Sequence, residues 1–450
     1  MKYRIRTAVF LLSAGLAAAS LTVMPARAQQ APVRLTLEDA IHRALEANLS
    51  VLEARDRTEE DRGTETRSQA ALLPRVSAQT YANYQNRDLR AFGISVPGFP
   101  LPSVVGPFSN YDFRIYAQQN LLDLGSLHTW RASQRALDAD RLTEQDARDL
   151  IVRFAASLYL NAQSAEARTR AAQSRVTDST TLLKLAQDRH DAGTATGVDV
   201  LRAQVQLAND KQVLLENENQ YKQSLLGLAR NLGMSPDTPL KLAEPLRYLL
   251  LDQSAPDALV TSALTSRADY ESLVTQREKL LEQQRASRAR FYPRVSINGN
   301  VGELGRSIGG VATTGLIQGQ IDFIVFDRDR EGEAQQLAAR LRSIDDQIGD
   351  LRRGVDEDIR AALLNLDSAA QQVEVAAEGQ GLAKRELQEA QDRFQAGTAN
   401  NVEVVTAQDE LARAEENYIL AVSSHVDAKY ALARALGDTE KNIRKFAGNP

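Results

Sequence analysis

The sequence predicts a mainly α-helical protein with a small β part, in which long antiparallel coiled coils are combined with two β-hairpins per chain. Three observations support this fold class. A segment beginning at Ala186 (AQDRHDAGTATGVDVLRAQ) recurs, little changed, from Ala390 (AQDRFQAGTANNVEVVTAQ), so the chain is a tandem duplication. Within each copy the hydrophobic period changes from that of a helix to that of a strand and back again. The stretch 124–192 contains no proline, as expected for one very long helix.

Residues 1–28 have the composition of a secretory signal peptide. Basic residues precede an apolar run over 8–21, and a small-x-small cleavage site occupies 26–28. The alternative is an N-terminal membrane anchor, but the run is shorter than the roughly 20 residues that a spanning helix needs. We therefore expect the protein to be exported from the cytoplasm.

The composition excludes several classes of protein. The formal net charge is −5, and the signal peptide contributes basic but no acidic residues, so we do not expect nucleic-acid binding by the exported part. The chain contains no cysteine, so it forms no disulfide and carries no lipid on an N-terminal cysteine. No later segment gives about 18 consecutive apolar residues, which excludes a helical membrane span. If the protein enters a membrane, it must do so as strands.

The repeat sets the domain organisation. Leu228–Gly233 returns as Leu432–Gly437, and Leu73-Pro74 returns as Tyr292-Pro293. The first copy is longer because a proline-rich loop is inserted between its two strands. We assign the parts of the mature chain as follows: first repeat 29–235, connecting segment around the middle of the rod 236–262, second repeat 263–437, and C-terminal tail 438–450.

Each repeat opens with a helix and continues with a hairpin. Thr36, with Asp39 three residues later, can cap a helix that runs to about Leu73, where Pro74 stops it. Apolar and polar residues then alternate in two segments of each copy, which predicts one hairpin per copy. The four predicted strands cover 76–85, 111–118, 295–302 and 317–325.

A long helix and a sharp tip follow each hairpin. The helix predicted over Leu124–Ala192 would be roughly 100 Å long at about 1.5 Å per residue. Gly193, and Gly397 in the second copy, follow the ends of the long helices, where glycine tolerates the left-handed conformation of a helix C-terminus. Thr194 or Thr196 can then cap a returning helix over 198–233. The entering and returning helices, stacked end to end, would lie along the long one, with the hairpin and the tip at opposite ends of a rod.

Four strands with one apolar and one polar face match the pattern of a transmembrane barrel, but they cannot close a barrel alone. An open edge in lipid leaves backbone groups unpaired at a cost of several kcal/mol each, so several chains would have to pool their strands. Two, three or four chains would give eight, twelve or sixteen strands. The alternative is a soluble periplasmic scaffold or adaptor protein in which the hairpins cap a coiled coil.

The order of these features resembles the TolC family of bacterial outer-membrane efflux proteins. The matching stretches are LTLEDA from Leu35, LPRV from Leu73, Phe326-Asp327, the tips AGTATGVDVL and AGTANNVEVV, and the closing Leu436-Gly437. The resemblance implies a homotrimer whose twelve strands form a transmembrane β-barrel in the outer membrane lipid and whose helices form an α-barrel through the periplasm. It also implies a passive exit duct of a tripartite efflux or type I secretion system.

The resemblance further implies where the functional sites lie. A periplasmic adaptor (membrane fusion protein), itself bound to an inner-membrane pump, would dock on the tip residues Gly193, Thr194, Ala195, Gly397, Thr398 and Ala399. In family members acidic residues past the second tip narrow the tunnel entrance. Glu403 stands at the first such position, Thr406 at the second, and Asp199 is the repeat counterpart of Glu403. Rings of three acidic side chains would favour cations; the alternative for Glu403 is an ordinary solvated helix acid.

Two family positions at the entrance are not matched. Some members latch the entrance closed with an arginine and a tyrosine, and Ala399 and Phe394 stand at those positions here. We therefore do not expect that latch.

No pattern of catalytic or metal-binding residues is present. His42, His128, His190 and His425 are scattered, without a second histidine or cysteine at ligand spacing, so neither a metal nor another cofactor is expected. We find no arrangement of nucleophile, base and acid and do not expect an enzyme. The cargo is not identified by the sequence, because in such systems the pump and the adaptor select it.

Overall fold

The computed structural model describes residues 32–89, 91, 93, 102–251, 255–437, 439–440 and 445. The predicted signal peptide lies outside the described residues, and so do most of the predicted C-terminal tail and part of the proline-rich loop. The long helices, the hairpins and the tips follow one another in the order that the duplication predicts. The elements are β1 Val33–Leu35, α1 Leu37–Ala47, α2 Leu49–Ala70, β2 Arg75–Asp88, β3 Val104–Leu122, α3 Leu124–Asp191, α4 Gly197–Asn231, β4 Leu240–Leu242, α5 Pro256–Ser266, α6 Ala268–Ala289, β5 Arg294–Gly305, β6 Val311–Asp322, α7 Asp329–Gln395 and α8 Asn401–Ala435.

Two very long helices form the axis of the fold. The helix α3 has 68 residues and α7 has 67, which corresponds to roughly 100 Å each. Asp123 starts α3 by accepting a hydrogen bond from the Ser126 backbone at 2.9 Å. Nearer the sheet α3 packs between α2 and α6, and nearer the tips it packs between α4 and α8. Shorter helices stacked end to end along a long one are therefore confirmed.

The prediction of one helix from Thr36 to Leu73 was wrong. The chain breaks at Asn48, whose backbone is extended (φ −74°, ψ 128°), and α2 ends at Ala70. Asn48 closes α1 and its side chain accepts a hydrogen bond from the Ser50 N–H at 2.9 Å, so it also caps α2. An asparagine side chain competes with helical hydrogen bonding in this way, which outweighs the continuous helical pattern of apolar residues.

The four predicted strands form one antiparallel sheet in the order β2-β3-β5-β6. Ala78, Ile115, Val301 and Gly315 lie side by side across it, so the apolar face is continuous, and the polar face is continuous in the same way. All four strands are longer than predicted. The strand β6 is also shifted, since it begins at Val311 and ends at Asp322, so that the alternating residues beyond it lie outside the strand. The first hairpin also projects past the second, because β3 continues beyond the position where it pairs with the end of β5.

A layer of short segments surrounds the middle of α3. There β1 pairs in parallel with β4 of the connecting segment, a pair that was not predicted. The Tyr159 hydroxyl donates to the Leu35 carbonyl at 3.0 Å, and the Gln163 amide donates to the Glu244 carbonyl at 2.9 Å. The largest apolar cluster of the described residues lies here, around Leu35, Tyr159 and Leu228. In the described part of the chain, we find no helix with the length and hydropathy needed to cross a membrane.

Candidate functional site

The two tips end their long helices in the same way. Gly193 and Gly397 adopt φ values of +72° and +79°, the left-handed conformation predicted for them. The next residue in each tip, Thr194 or Thr398, donates its N–H and its hydroxyl to a carbonyl of the preceding helix. The two glycines and the two threonines are exposed, and the alanine that follows each threonine is half-buried. The six predicted docking residues therefore lie at the end of the rod, and four of them are exposed.

The returning helices start with different caps. Of the two threonines proposed for α4, the structure selects Thr196, which forms a reciprocal capping box with Asp199. The Thr196 hydroxyl and N–H donate to the Asp199 carboxylate at 2.7 Å and 2.9 Å. In the second tip Asn400 caps α8 through the Val402 N–H at 3.0 Å and the Glu403 N–H at 3.3 Å.

The predicted entrance residues have different surroundings. Hydrogen bonds from Thr196, helped by the nearby Arg202, hold the pKa of the Asp199 carboxyl below its usual value, so this carboxylate is ionised and held by its helix. Glu403 is half-buried and its carboxylate lies 3.2 Å from the Arg393 guanidinium. Thr406 is exposed. Of the three, only Glu403 pairs with a cation across its own tip.

Sequence reasoning missed the two arginines that terminate the long helices. Arg189 and Arg393 occupy equivalent positions of the repeat, in the last turns of α3 and α7. Positively charged side chains in the last turn interact favourably with the negative end of the helix dipole. The signal was present in the repeated AQDR, but the partners of each arginine depend on tertiary packing. Arg393 pairs with Glu403, whereas Arg189 reaches the other tip.

The polar face of the sheet carries a buried acid that was also missed. Asp112 is 1% exposed and accepts a hydrogen bond from the Tyr81 hydroxyl at 2.8 Å, while the Arg114 Nε lies 3.0 Å from its carboxylate. Glutamines and asparagines lie on the same face of the sheet. They are Gln79, Asn83, Gln118, Asn298, Asn300, Gln318 and Gln320.

Exposed aliphatic side chains mark the two outer helices of the tip half. On α4 and on α7 they recur at the spacing of a heptad seam, although each helix already packs through its opposite side within the chain. We call these sets the α4 stripe, Val198, Leu201, Val205, Leu215 and Leu226, and the α7 stripe, Leu364, Val375 and Leu382.

Other polar groups of the described residues form pairs rather than ligand clusters. No group of three or more histidine, aspartate or glutamate side chains within the described ranges could hold a metal ion. His128 lies 2.7 Å from Glu282, and the Nδ1 atom of His190 lies 3.2 Å from the Ala195 carbonyl at the tip.

Residues 40–234 and 259–438 match the profile of the outer membrane efflux protein family. The chain belongs to this family. It is thus an outer-membrane exit duct for efflux, and the family consists of channels rather than enzymes. The resemblance to TolC proteins is confirmed, and the alternative of a soluble scaffold has no support.

Similar proteins agree with this assignment. The pyoverdine export outer membrane protein OpmQ of Pseudomonas putida is 23% identical over 348 residues, which cover 73% of this chain and 71% of the relative. A membrane protein of Pseudomonas aeruginosa superposes with a TM-score of 0.76 and 20% identity, covering 90% of this chain and 91% of that one. VceC of Vibrio cholerae superposes with a TM-score of 0.74 and 19% identity, covering 89% of this chain and 96% of that one. CmeC of Campylobacter jejuni superposes with a TM-score of 0.75 and 16% identity, covering 92% of this chain and 89% of that one. These structures share the fold.

Proposed function

We propose that three copies of this chain assemble into one duct, in which twelve strands close a barrel in the outer membrane and the helices enclose a tunnel across the periplasm. The observation that carries this proposal is the open sheet. It has an apolar and a polar face, and its edge strands β2 and β6 have no strand partner among the described residues. Because unpaired backbone groups are costly in lipid, these edges need neighbouring copies.

The outer helices support the same assembly. The α4 stripe and the α7 stripe lie on opposite edges of the chain. The α4 stripe of one copy can therefore pack against the α7 stripe of the next copy, and head-to-tail contacts of this kind can close into a ring. Heptad seams of this kind join antiparallel or parallel helices into coiled coils.

The assembly is tested by particle mass and by conductance. We expect the detergent-extracted protein to have the mass of a trimer and to give single-channel currents in planar bilayers. Leu215→Glu, which places a charge in the α4 stripe, should reduce the trimer, whereas Gln220→Glu, an exposed position on the same helix outside the stripe, should not. A dimer, a tetramer or a monomer without conductance would contradict the proposal, and so would equal effects of the two variants.

We also propose that the tips dock on a periplasmic adaptor bound to an inner-membrane pump. The exposure of Thr398 at the end of the rod supports this proposal. The chain contains no cysteine, so a single introduced thiol can be labelled selectively. In cells, a thiol cross-linker on Thr398→Cys should therefore capture the adaptor, identified by mass spectrometry. Leu250→Cys, which is 73% exposed in the connecting segment, is the matched control. Capture of the adaptor from Leu250→Cys alone would place docking elsewhere.

Finally, we propose that Asp199, Glu403 and Thr406 line the tunnel entrance. The Arg393 guanidinium partly compensates the charge of Glu403, so the two side chains should act with opposite sign. Under a salt gradient, Glu403→Gln should shift the reversal potential toward anion selectivity and Arg393→Gln toward cation selectivity. If both reversal potentials equal that of the unmodified channel, these residues do not line the entrance.

A further inference from the structure

Charge on the polar face of the sheet is concentrated at one level. The paired positions of this face form rows that cross all four strands, and successive rows lie roughly 7 Å apart. In the three central rows, Asp112 and Arg114 are the only charged residues. These rows are Ser77-Tyr116-Asn300-Leu316, Gln79-Arg114-Gly302-Thr314 and Tyr81-Asp112-Leu304-Ala312.

The two charges are unequally accessible. The Asp112 side chain is 2% exposed and that of Arg114 is 23% exposed. Both carboxylate oxygens of Asp112 are occupied, since Oδ2 accepts a hydrogen bond from the Tyr81 hydroxyl at 2.8 Å and Oδ1 lies 3.0 Å from the Arg114 Nε. The negative charge is therefore enclosed, whereas the positive charge can still be reached from the polar face.

Asp112 approaches the guanidinium of Arg114 at one side. Because the nearest contact is made by Nε, the two terminal nitrogens remain to bind a second oxyanion. A guanidinium presents its N–H groups in a planar fork, and this fork matches the two oxygens of a carboxylate or of a phosphate. The fixed position of Nε also reduces the side-chain entropy that binding would otherwise cost.

A glycine makes room beside this arginine. Gly302 pairs with Arg114 across β3 and β5. A Cβ atom at Gly302 would lie 2.6 Å from the Arg114 Cα, 2.8 Å from its Cγ and 1.9 Å from the Phe113 carbonyl oxygen, which is closer than real Cβ atoms come. The close approach of β5 at this level therefore requires glycine. No side chain from the facing position of β5 can cover the guanidinium.

Arg114 also lies well inside the sheet. It is four residues along β3 from Gln118, which pairs with Arg75 at the start of β2, and this corresponds to roughly 14 Å. The apolar band of a transmembrane barrel is about 25 Å tall. In the barrel that we propose, the guanidinium would thus stand near the middle of the membrane, away from both mouths.

We propose that Arg114 is a binding site for the carboxylate or phosphate groups of anionic cargo inside the barrel, and that Asp112 is the residue that positions it. This inference rests on the proposed trimer, in which the polar faces line the lumen and three copies of Arg114 stand at one level. Basic rings of this kind favour anions in a pore. An oxyanion gains more than chloride, because it can accept two parallel hydrogen bonds from the fork.

Block of single-channel currents by citrate, a tricarboxylate, tests this inference. We expect citrate to reduce the current through the unmodified channel. Arg114→Gln should weaken this block about tenfold or more, as expected for the loss of a hydrogen-bonded charge pair. Under a potassium chloride gradient the same variant should shift the reversal potential toward cation selectivity, whereas Asp112→Asn, which removes the enclosed negative charge, should shift it toward anion selectivity.

Two further variants separate a specific site from charge alone. Arg114→Lys keeps the charge but lacks the fork, so the reversal potential should stay near that of the unmodified channel while the citrate block weakens. Arg306→Gln removes an exposed arginine of the same sheet, which lies 5.5 Å from the Phe108 ring. As the matched control, it should leave the citrate block unchanged.

The possible failures of this test can be told apart. Equal block in the unmodified and Arg114→Gln channels would overturn the site, and so would equal weakening in Arg114→Gln and Arg306→Gln. Full block in Arg114→Lys would reduce the site to an unspecific charge and overturn oxyanion recognition. If Arg114→Gln gives no trimer, Arg114→Lys decides alone. Conducting trimers that citrate does not block overturn only this inference, whereas an unmodified protein without the trimer mass or without conductance overturns the duct as well.

Discussion

The first helices of the two repeats bend at equivalent positions but are held there by different chemistry. Asn48 and Arg267 both have extended backbones, with ψ values of 128° and 116°. Asn48 stabilises its bend locally, as a helix cap. Arg267 is 6% exposed and forms ion pairs with Asp269 at 2.7 Å and Asp358 at 2.8 Å. One backbone geometry can thus be specified by a neighbouring residue or by a distant one.

Removal of Arg267 should have the largest effect. Arg267→Met leaves Asp269, which is 21% exposed, without its partner, whereas Asp358 is 56% exposed and stays solvated. The free energy of unfolding should therefore fall by about 3 kcal/mol, the lower end of the range for a broken buried ion pair. Asn48→Ala removes only a cap and should cost about 1 kcal/mol. Urea titration of the detergent-solubilised protein, followed by circular dichroism, gives both values. Similar losses in the two variants would mean that the two bends are held equally strongly.

A second difference between the repeats predicts a dependence on pH. His425 is 1% exposed, where its counterpart in the first repeat is Tyr221, and its ring lies 4.7 Å from that of Tyr248. Burial, helped by the nearby Lys429, lowers the pKa of His425 to about 4. The folded protein therefore favours the neutral ring.

The sign of the effect follows from this shift. The contribution of His425 to the free energy of unfolding is fully present above its pKa in the unfolded chain, about 6.5. It is lost as the pH falls toward 4, by up to about 3 kcal/mol. His425→Phe should flatten this part of the stability curve, measured by urea titration at several pH values. A curve that keeps the same slope in His425→Phe would assign the acid sensitivity to other groups.

The helical hairpins provide a smaller contrast. In the first hairpin the buried Ser179 hydroxyl donates to the buried Asp210 carboxylate, whereas Ala383 and Ala414 stand at the equivalent positions of the second. Ser179→Ala leaves the carboxylate without this donor and should cost about 1–3 kcal/mol. Changing both residues to alanine, as in the second repeat, should cost less than the single change. A double variant that is the less stable of the two would contradict this expectation.

The caps of the returning helices should differ least. Thr196→Ala removes the capping box of α4 and Asn400→Ala removes the cap of α8, each at a cost of about 1 kcal/mol. Thermal unfolding of the two variants should therefore show similar small shifts. A much larger shift for one of them would indicate that its tip bears more of the stability of the rod.

Features with strong periodicity were predictable from the sequence, and those that depend on distant contacts were not. The bounds of the long helix α3 were expected within one residue, and both hairpins were expected at the right places in the chain, because period and proline position determine them. The ends of the strands were not, since β3 begins at Val104 and β6 at Val311, several residues before the predicted starts. The strands β1 and β4 have three residues each, too few to show alternation. The break at Asn48 was hidden by apolar residues that continue the helical pattern.

The candidate site follows the same division. Gly193 and Gly397 were predictable because their backbone conformation is local. The partners of Arg189 and Arg393 were not, since identical motifs pair differently in the two repeats. Whether an acid such as Glu403 carries a free charge depends on which cation the fold brings beside it.

The unequal lengths of the two hairpins have a consequence for the outer mouth of the duct that we propose. The first hairpin continues for several residues after β5 has ended at Gly305, which amounts to roughly 20 Å of additional strand. In the ring of three copies that we propose, tall and short hairpins would alternate, so the rim would have three lateral gaps. In that arrangement, an antibody or phage that approaches from outside the cell would first meet the tall hairpins.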